Sequence, residues 1–155
     1  MKRAAILIAV LAAGSPAAAD VVVASTSDAS SCTVSERAQH TATLRRALDR
    51  LIESHLSTGN AHVDAQIERL TVESSGDRVV VSARVRLAIS DDAGRILSVV
   101  TGNAKVEQSA RTFRARPRAM REDAVTSAVE AMFDNLKTAI APTRRNNRVA
   151  ASGGR

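Results

Sequence analysis

From Val79 to Ile89 every second residue is apolar: Val79, Val81, Ala83, Val85, Leu87 and Ile89 alternate with Val80, Ser82, Arg84, Arg86 and Ala88. A period of two puts such a set on one face of a β-strand, and charged alternates mark a strand buried on that face alone. The same period runs through Ile96, Ser98, Val100, Gly102, Ala104 and Val106. Asp91-Asp92-Ala93-Gly94 separates the two runs with the residues that tight turns use. Pairing Ser90 with Arg95 sets Ile89 against Ile96, Val85 against Val100, Val79 against Val106 and Arg78 against Glu107, so both apolar sets share a face. An earlier strand, about 63–73, joins through the Ser74-Ser75-Gly76-Asp77 turn, with Val72 and Leu70 facing Val79 and Val81. Val63, Ala65 and Ile67 have the opposite parity, and one extra residue near Glu68-Arg69, a β-bulge, restores the common face.

Helical spacing flanks these strands. Leu44, Leu48, Leu51, Ile52, His55 and Leu56 recur every three or four residues, while Arg45, Arg46, Asp49, Arg50 and Glu53 lie mostly off that stripe. Thr33 and Glu36 form a capping box at its start, and Gly59 supplies a stop. A second stripe, Val125, Ala128, Val129, Met132, Leu136 and Ile140, with Phe133 at its margin, predicts a helix over roughly 119–140 ahead of Pro142. The expected fold is α+β: helix, three-stranded antiparallel β-meander, helix, with both helices on one face of the sheet. The opposite face, bearing Val80, Arg84, Arg86, Leu97, Val99 and Thr101, is then left without cover.

The amino terminus has the three parts of an export signal: Lys2 and Arg3, an apolar run from Ala4 to Ala13, and Ala17-Ala18-Ala19 after the Gly14-Ser15-Pro16 break. The apolar run is about half the ~20 residues that a membrane-spanning helix needs, so no transmembrane helix is expected in the mature chain. Cleavage near Ala19/Asp20 predicts a periplasmic or secreted protein. The domain plan reads as a signal peptide over 1–19, a flexible lead-in over 20–32, a single α+β domain over 33–140, and a disordered basic tail over 141–155. Cys32 is the one cysteine; it follows Ser30-Ser31 without a lipid-attachment pattern, and one thiol makes no internal disulfide. It reads as a small shielded residue or as half of an intermolecular bridge.

Catalytic and metal motifs are absent from the sequence, and no cofactor is expected. There is no G-x-S-x-G, H-E-x-x-H, C-x-x-C or phosphate loop. Of His40, His55 and His62, only the last two approach each other in the pattern, across the Gly59 turn, and no thiolate or carboxylate set accompanies them. Asp91-Asp92-Ala93-Gly94 lacks the further spaced oxygen donors of a calcium loop. The chain reads as a non-enzyme.

Charge then singles out one stretch. Residues 33–109 hold ten basic and ten acidic side chains, whereas 110–155 hold ten basic against four acidic. Arg111, Arg114, Arg116, Arg118 and Arg121 crowd around Pro117. Nucleic-acid binding calls for stacking aromatics or a recognition helix, and the chain has neither Trp nor Tyr and only Phe113 and Phe133. Two readings remain: contact with an anionic envelope polymer or lipid surface, and a solvated connector between strand and helix. Alternation in Thr112, Arg114 and Arg116 allows the third strand to run on, with Phe113 inward.

The stretch VRLAISDDAGRILSVVTGNAKVE, with Asp91, Gly94, Arg95 and Ile96 forming a D-x-x-G-[KR]-apolar turn, resembles small exported α+β domains of Gram-negative bacteria. With the following helix it is similar to short uncharacterised secreted proteins of high-GC bacteria such as myxobacteria. The resemblance implies an envelope location and an α+β fold, and it brings no catalytic residues. The functional expectation is an exported binding domain that contacts another protein or forms a homo-oligomer through Val80, Leu97 and Val99. The alternative is an anion binder working through the five arginines and the tail.

Overall fold

The computed structural model describes residues 21–31, 33–55 and 61–133. The signal segment, Cys32, Gly59, the His55 side chain, Leu136, Ile140 and the basic tail lie outside the described residues. In chain order the elements are β1 (Val21–Asp28), α1 (Val34–His55), β2 (Ala61–Ser75), β3 (Arg78–Ser90), β4 (Ile96–Ser109), α2 (Ala110–Ala115) and α3 (Pro117–Glu130).

The sheet has four strands in the order β1-β2-β3-β4, with β1 parallel to β2 and the other neighbours antiparallel. The three-stranded antiparallel meander is therefore extended to a mixed sheet, and the two helices to three. The additional strand occupies the stretch expected as a flexible lead-in. Val21 and Val23 point into the core at 5% and 4% exposure. Pairing with β2 then slips between Val23 and Ser25, so that Thr26 and Asp28 sit opposite the buried Ala65 and Ile67. A change of parity and two polar inward residues hide the period of this strand from the sequence. Its parallel direction follows from the crossover through α1.

Thr33 caps α1 as expected: its hydroxyl accepts from the Glu36 backbone N–H at 3.3 Å and donates to the Glu36 carboxylate at 2.9 Å. The β2–β3 register slips between Ile67 and Arg69, placing the bulge at Glu68. Gly76, at φ 61°, opens the two-residue connection between Ser75 and Arg78. Pairings beyond the bulge are two residues from those expected, Leu70 against Ala83 and Val72 against Val81. In the second hairpin Leu87 meets Val100 and Val81 meets Val106, because the register slips next to the turn, between Ile89 and Ser90, and leaves Leu97 as the extra residue. An even displacement leaves the side chains beyond the slip on their expected faces, but Ile96, expected inward against Ile89, pairs with Ser90 and turns to the uncovered face at 70% exposure. Arg78 thus lies opposite Ser109, yet its guanidinium still reaches Glu107 at 2.7 Å along the diagonal.

Both long helices cover the same face. Leu44, Ala47, Leu48 and Ile52 of α1 and Met120, Ala124, Val125, Ala128 and Val129 of α3 join the inward residues of all four strands in one core. The third strand does not run on through Thr112. Ser109 caps α2 by accepting from the Thr112 N–H at 3.1 Å, and Phe113 packs against the core from this short helix. Pro117 opens α3, where its missing N–H costs nothing.

Gly102 sets how closely α3 approaches β4. A Cβ at this position would collide with the Ala128 carbonyl oxygen and the Met132 side chain. Gly102→Val is expected to lower the urea midpoint through a loss of about 1–3 kcal/mol or more, with Gly102→Ala losing less. A Gly102→Val protein as stable as the parent would mean that α3 is not seated there.

Candidate functional site

A buried polar cluster ties the end of β1 to α1. The Asp28 side chain is withdrawn from solvent and His40 is 4% exposed. His40 Nδ1 lies 3.0 Å from one Asp28 oxygen, and the Ser31 hydroxyl donates to that same oxygen. Ser30 donates to the other oxygen from its backbone N–H at 2.7 Å and from its hydroxyl at 2.6 Å. Burial works against the Asp28 charge, but the Ser30, Ser31 and His40 hydrogen bonds outweigh it and hold the carboxyl below its ordinary value. Serine, histidine and aspartate are the components of a hydrolytic relay, which needs the hydroxyl and the carboxylate on opposite ring nitrogens. Here Ser31 Oγ and the carboxylate converge on the same nitrogen, Nδ1, at 2.9 and 3.0 Å. The cluster is a latch for the edge strand. Sequence reasoning missed it because Asp28 and Ser31 fell in the supposed lead-in.

The turn that carried the family resemblance also locks itself. The Asp91 carboxylate accepts from the backbone N–H of Ala93 at 3.0 Å and of Arg95 at 2.9 Å, and its other oxygen pairs with the Arg95 guanidinium at 2.7 Å. The Arg95 backbone and guanidinium hydrogen bonds keep this carboxyl below its usual range. Gly94, at φ 76°, makes the geometry accessible. D-x-x-G-R is therefore a turn-building set. His62 lies 3.3 Å from Asp92 beside it, and the described residues contain no group of three His, Cys, Asp or Glu placed to hold a metal.

The five arginines separate into two sets. Arg118 pairs with Glu122 at 2.9 Å, and Arg121 reaches Glu36 at 3.5 Å. Gln39 also donates to Glu122 at 3.1 Å, so these contacts clamp α3 to the start of α1. The Arg118 hydrogen bond, opposed by partial burial and aided by Gln39, lowers the Glu122 pKa. Arg111, Arg114 and Arg116 are exposed and pair with no carboxylate among the described residues; Arg114 bonds the Ala110 carbonyl at 3.3 Å. The stretch is helical on both sides of Arg116, not an extended connector.

On the uncovered sheet face, Leu97 and Val99 are 43% and 45% exposed, and Ile96 beside them is 70% exposed. Val99 lies opposite Ala88, whereas Val80 lies opposite Glu107. Eight residues of strand, about 26 Å, separate Val80 from Ala88, so Val80 does not belong to the patch. The centre of the face is polar: Glu68, the bulge residue, reaches Arg84 at 3.2 Å and Arg86 at 3.9 Å, and Ser25 donates to Asp64 at 2.5 Å. The exposed large apolar side chains of this face are Ile96, Leu97 and Val99 at the start of β4 and Val22 on β1. None of the described helices is long and apolar enough to cross a membrane.

The latch has a pH signature. Because the folded Asp28 pKa is depressed, its contribution is fully present above the ordinary value of 3.8 and is lost as pH falls through the lower folded value. Asp28→Ala is expected to cost about 1–3 kcal/mol near neutral pH by leaving His40 and two hydroxyls without their acceptor, and to flatten the acid limb of stability against pH. Unchanged urea midpoints from pH 6 to pH 3, compared between the two proteins, would remove this role.

No family model matches the chain, and no curated protein matches its sequence. Solved structures do share its fold. A protein of Caulobacter crescentus CB15, provisionally classed as a lipoprotein, superposes with a TM-score of 0.52 at 14% identity, over 75% of this chain and 90% of that one. A minor lipoprotein from Acinetobacter baumannii gives a TM-score of 0.50 at 12% identity, over 77% of this chain and 93% of its own. At these identities the likeness is one of fold: the chain has an α+β arrangement that also occurs in bacterial proteins described as lipoproteins.

Proposed function

We propose that the chain is an exported, non-catalytic domain of the cell envelope or the secreted fraction that works by contacting another protein or a second copy of itself. Export is supported by the basic start, short apolar run and small-residue site of residues 1–19. An envelope setting agrees with the lipoprotein description of the two structures that share the fold. The non-catalytic reading rests on a sequence without nucleophile or phosphate motifs and on a Ser31–His40–Asp28 geometry that ties β1 to α1. The observation that carries the contact role is the apolar corner formed by Ile96, Leu97 and Val99 on the uncovered side of β4. A cluster of exposed apolar side chains rimmed by polar ones is the usual mark of an association surface.

A second reading keeps the arginines. Arg111, Arg114 and Arg116 project into solvent without carboxylate partners among the described residues, an arrangement suited to phosphate or carboxylate groups of an anionic polymer or lipid surface. Such binding is screened by salt, whereas apolar contact is not.

Affinity capture from envelope extract separates the two. The full chain, tagged and expressed with its own leader, is compared with Val99→Asp and with Arg111→Gln/Arg114→Gln/Arg116→Gln at low and high salt. A discrete protein held at high salt by the parent and the arginine variant, and lost with Val99→Asp at an unchanged thermal midpoint, is the expected result. Polyanionic or lipid material held only at low salt and lost with the arginines would give the role to α2 and α3 instead.

A further inference from the structure

The sheet ends in two strand edges that differ in how they are guarded. β1 is short, eight residues, and interrupted by its bulge. Arg45, Asp49 and Glu53 of α1 line a groove of about 460 Å³ beside Val21, Val22 and Val23, placing charge next to that edge. β4 runs for 14 residues and, among the described residues, pairs only with β3. From Ile96 to Ala104 it carries no charge and no proline; Arg95 and Lys105 bound the run. Edge strands are normally protected by lysine, proline, brevity or cover, because their free N–H and C=O groups template pairing with another strand.

We propose that β4 joins two copies of this chain, antiparallel, about a two-fold axis at Val100. The proposal rests on the interaction role above and names the partner as a second copy. The reason is self-complementarity, which an isologous contact requires. The uncharged run 96–104 is centred on Val100, so a two-fold there lays it against itself along its whole length. Val99 then stands opposite Thr101 of the second copy, and the reverse, a pair of β-branched side chains on the uncovered face. Leu97 stands opposite Asn103, and the two Val99 side chains meet diagonally across the axis. The bulge at Leu97 brings Ile96, which pairs with Ser90, to the same side. Arg95, the first charge outside the run, is already neutralised by Asp91 at 2.7 Å when it approaches Lys105 of the second copy. Nine residues pairing on each chain add roughly eight main-chain hydrogen bonds. The area is small against the ~1,200–2,000 Å² of a stable interface, so the association is concentration-dependent.

Sedimentation velocity of the full chain, purified after export, tests this at concentrations up to about 1 mM, the weak end of measurable binding. A reversible monomer–dimer equilibrium is expected. Val99→Lys/Thr101→Lys and Val99→Glu/Thr101→Glu should each remain monomeric, with parental circular dichroism since both positions are exposed, and should dimerise when mixed. Val22→Lys, on the other edge, should dimerise like the parent. A monomeric parent at the highest concentration, dimers that survive either double variant, or an open ladder of larger species from β4 meeting β1 overturns the inference. A monomeric chain that still captures a discrete protein at high salt overturns the two-fold and leaves the interaction role in place. A monomeric chain that captures nothing removes both.

Discussion

Val63, Ala65 and Ile67 of β2 face the helices at even spacing, and Leu70 and Val72 take the same side with that spacing offset by one. Only the extra residue Glu68 reconciles the two sets. The bulge at Glu68 lets β2 present one apolar face to α1 and α3, whereas the slip after Val23 turns Asp28 inward and the slip at Leu97 turns Ile96 outward. Each is a local loss of ladder pairing; at Glu68 it is offset by keeping both apolar sets of β2 on the helix side.

The same irregularities decide what the other surfaces hold. The slip in β1 turns Asp28 inward, where His40 and two serines can satisfy a carboxylate that burial alone would neutralise. The bulge in β2 sends Glu68 between Arg84 and Arg86, making the centre of the open face polar and unsuited to a broad apolar contact. The slip in β4 gathers Ile96, Leu97 and Val99 at one corner. These three side chains lie along a short length of β4, and the arginines sit apart from them, at the end of β4 where α2 begins.

Helix seating adds a second constraint. At Gly102 the strand backbone meets the α3 backbone carbonyl directly, and Ala124 and Ala128 keep that helix side narrow. Arg118, Glu122, Gln39, Glu36 and Arg121 then join α3 to α1 at the surface. These exposed pairs contribute little individually, and their effect is mainly on orientation. Two of the five arginines are used in this way, which leaves Arg111, Arg114 and Arg116 for anything outside the chain.

The sequence by itself determined the hairpins, the capping box, the stripes of α1 and α3 over their described residues, the bulge at Glu68 and the side of the sheet that the helices cover. All of these are written in periods of two or of three and four, and burial of one face enforces them locally. It also placed the apolar Leu97 and Val99 on the open side, since a register error of two residues leaves parity intact. Tertiary structure alone decided the rest. β1 is a strand because Val21 and Val23 find Ala61 and Val63 across a crossover, a partnership that polar Thr26 and Asp28 conceal in one dimension. Asp28, Ser31 and His40 meet only when β1 and α1 are docked. The arginine stretch turns helical because Ser109 caps it and Phe113 needs the core, both of which depend on where β4 ends. Val80 and Val99 fall on the same face and so look equivalent in the pattern, yet pairing sets them far apart, because distance along a strand is a property of register and not of pattern.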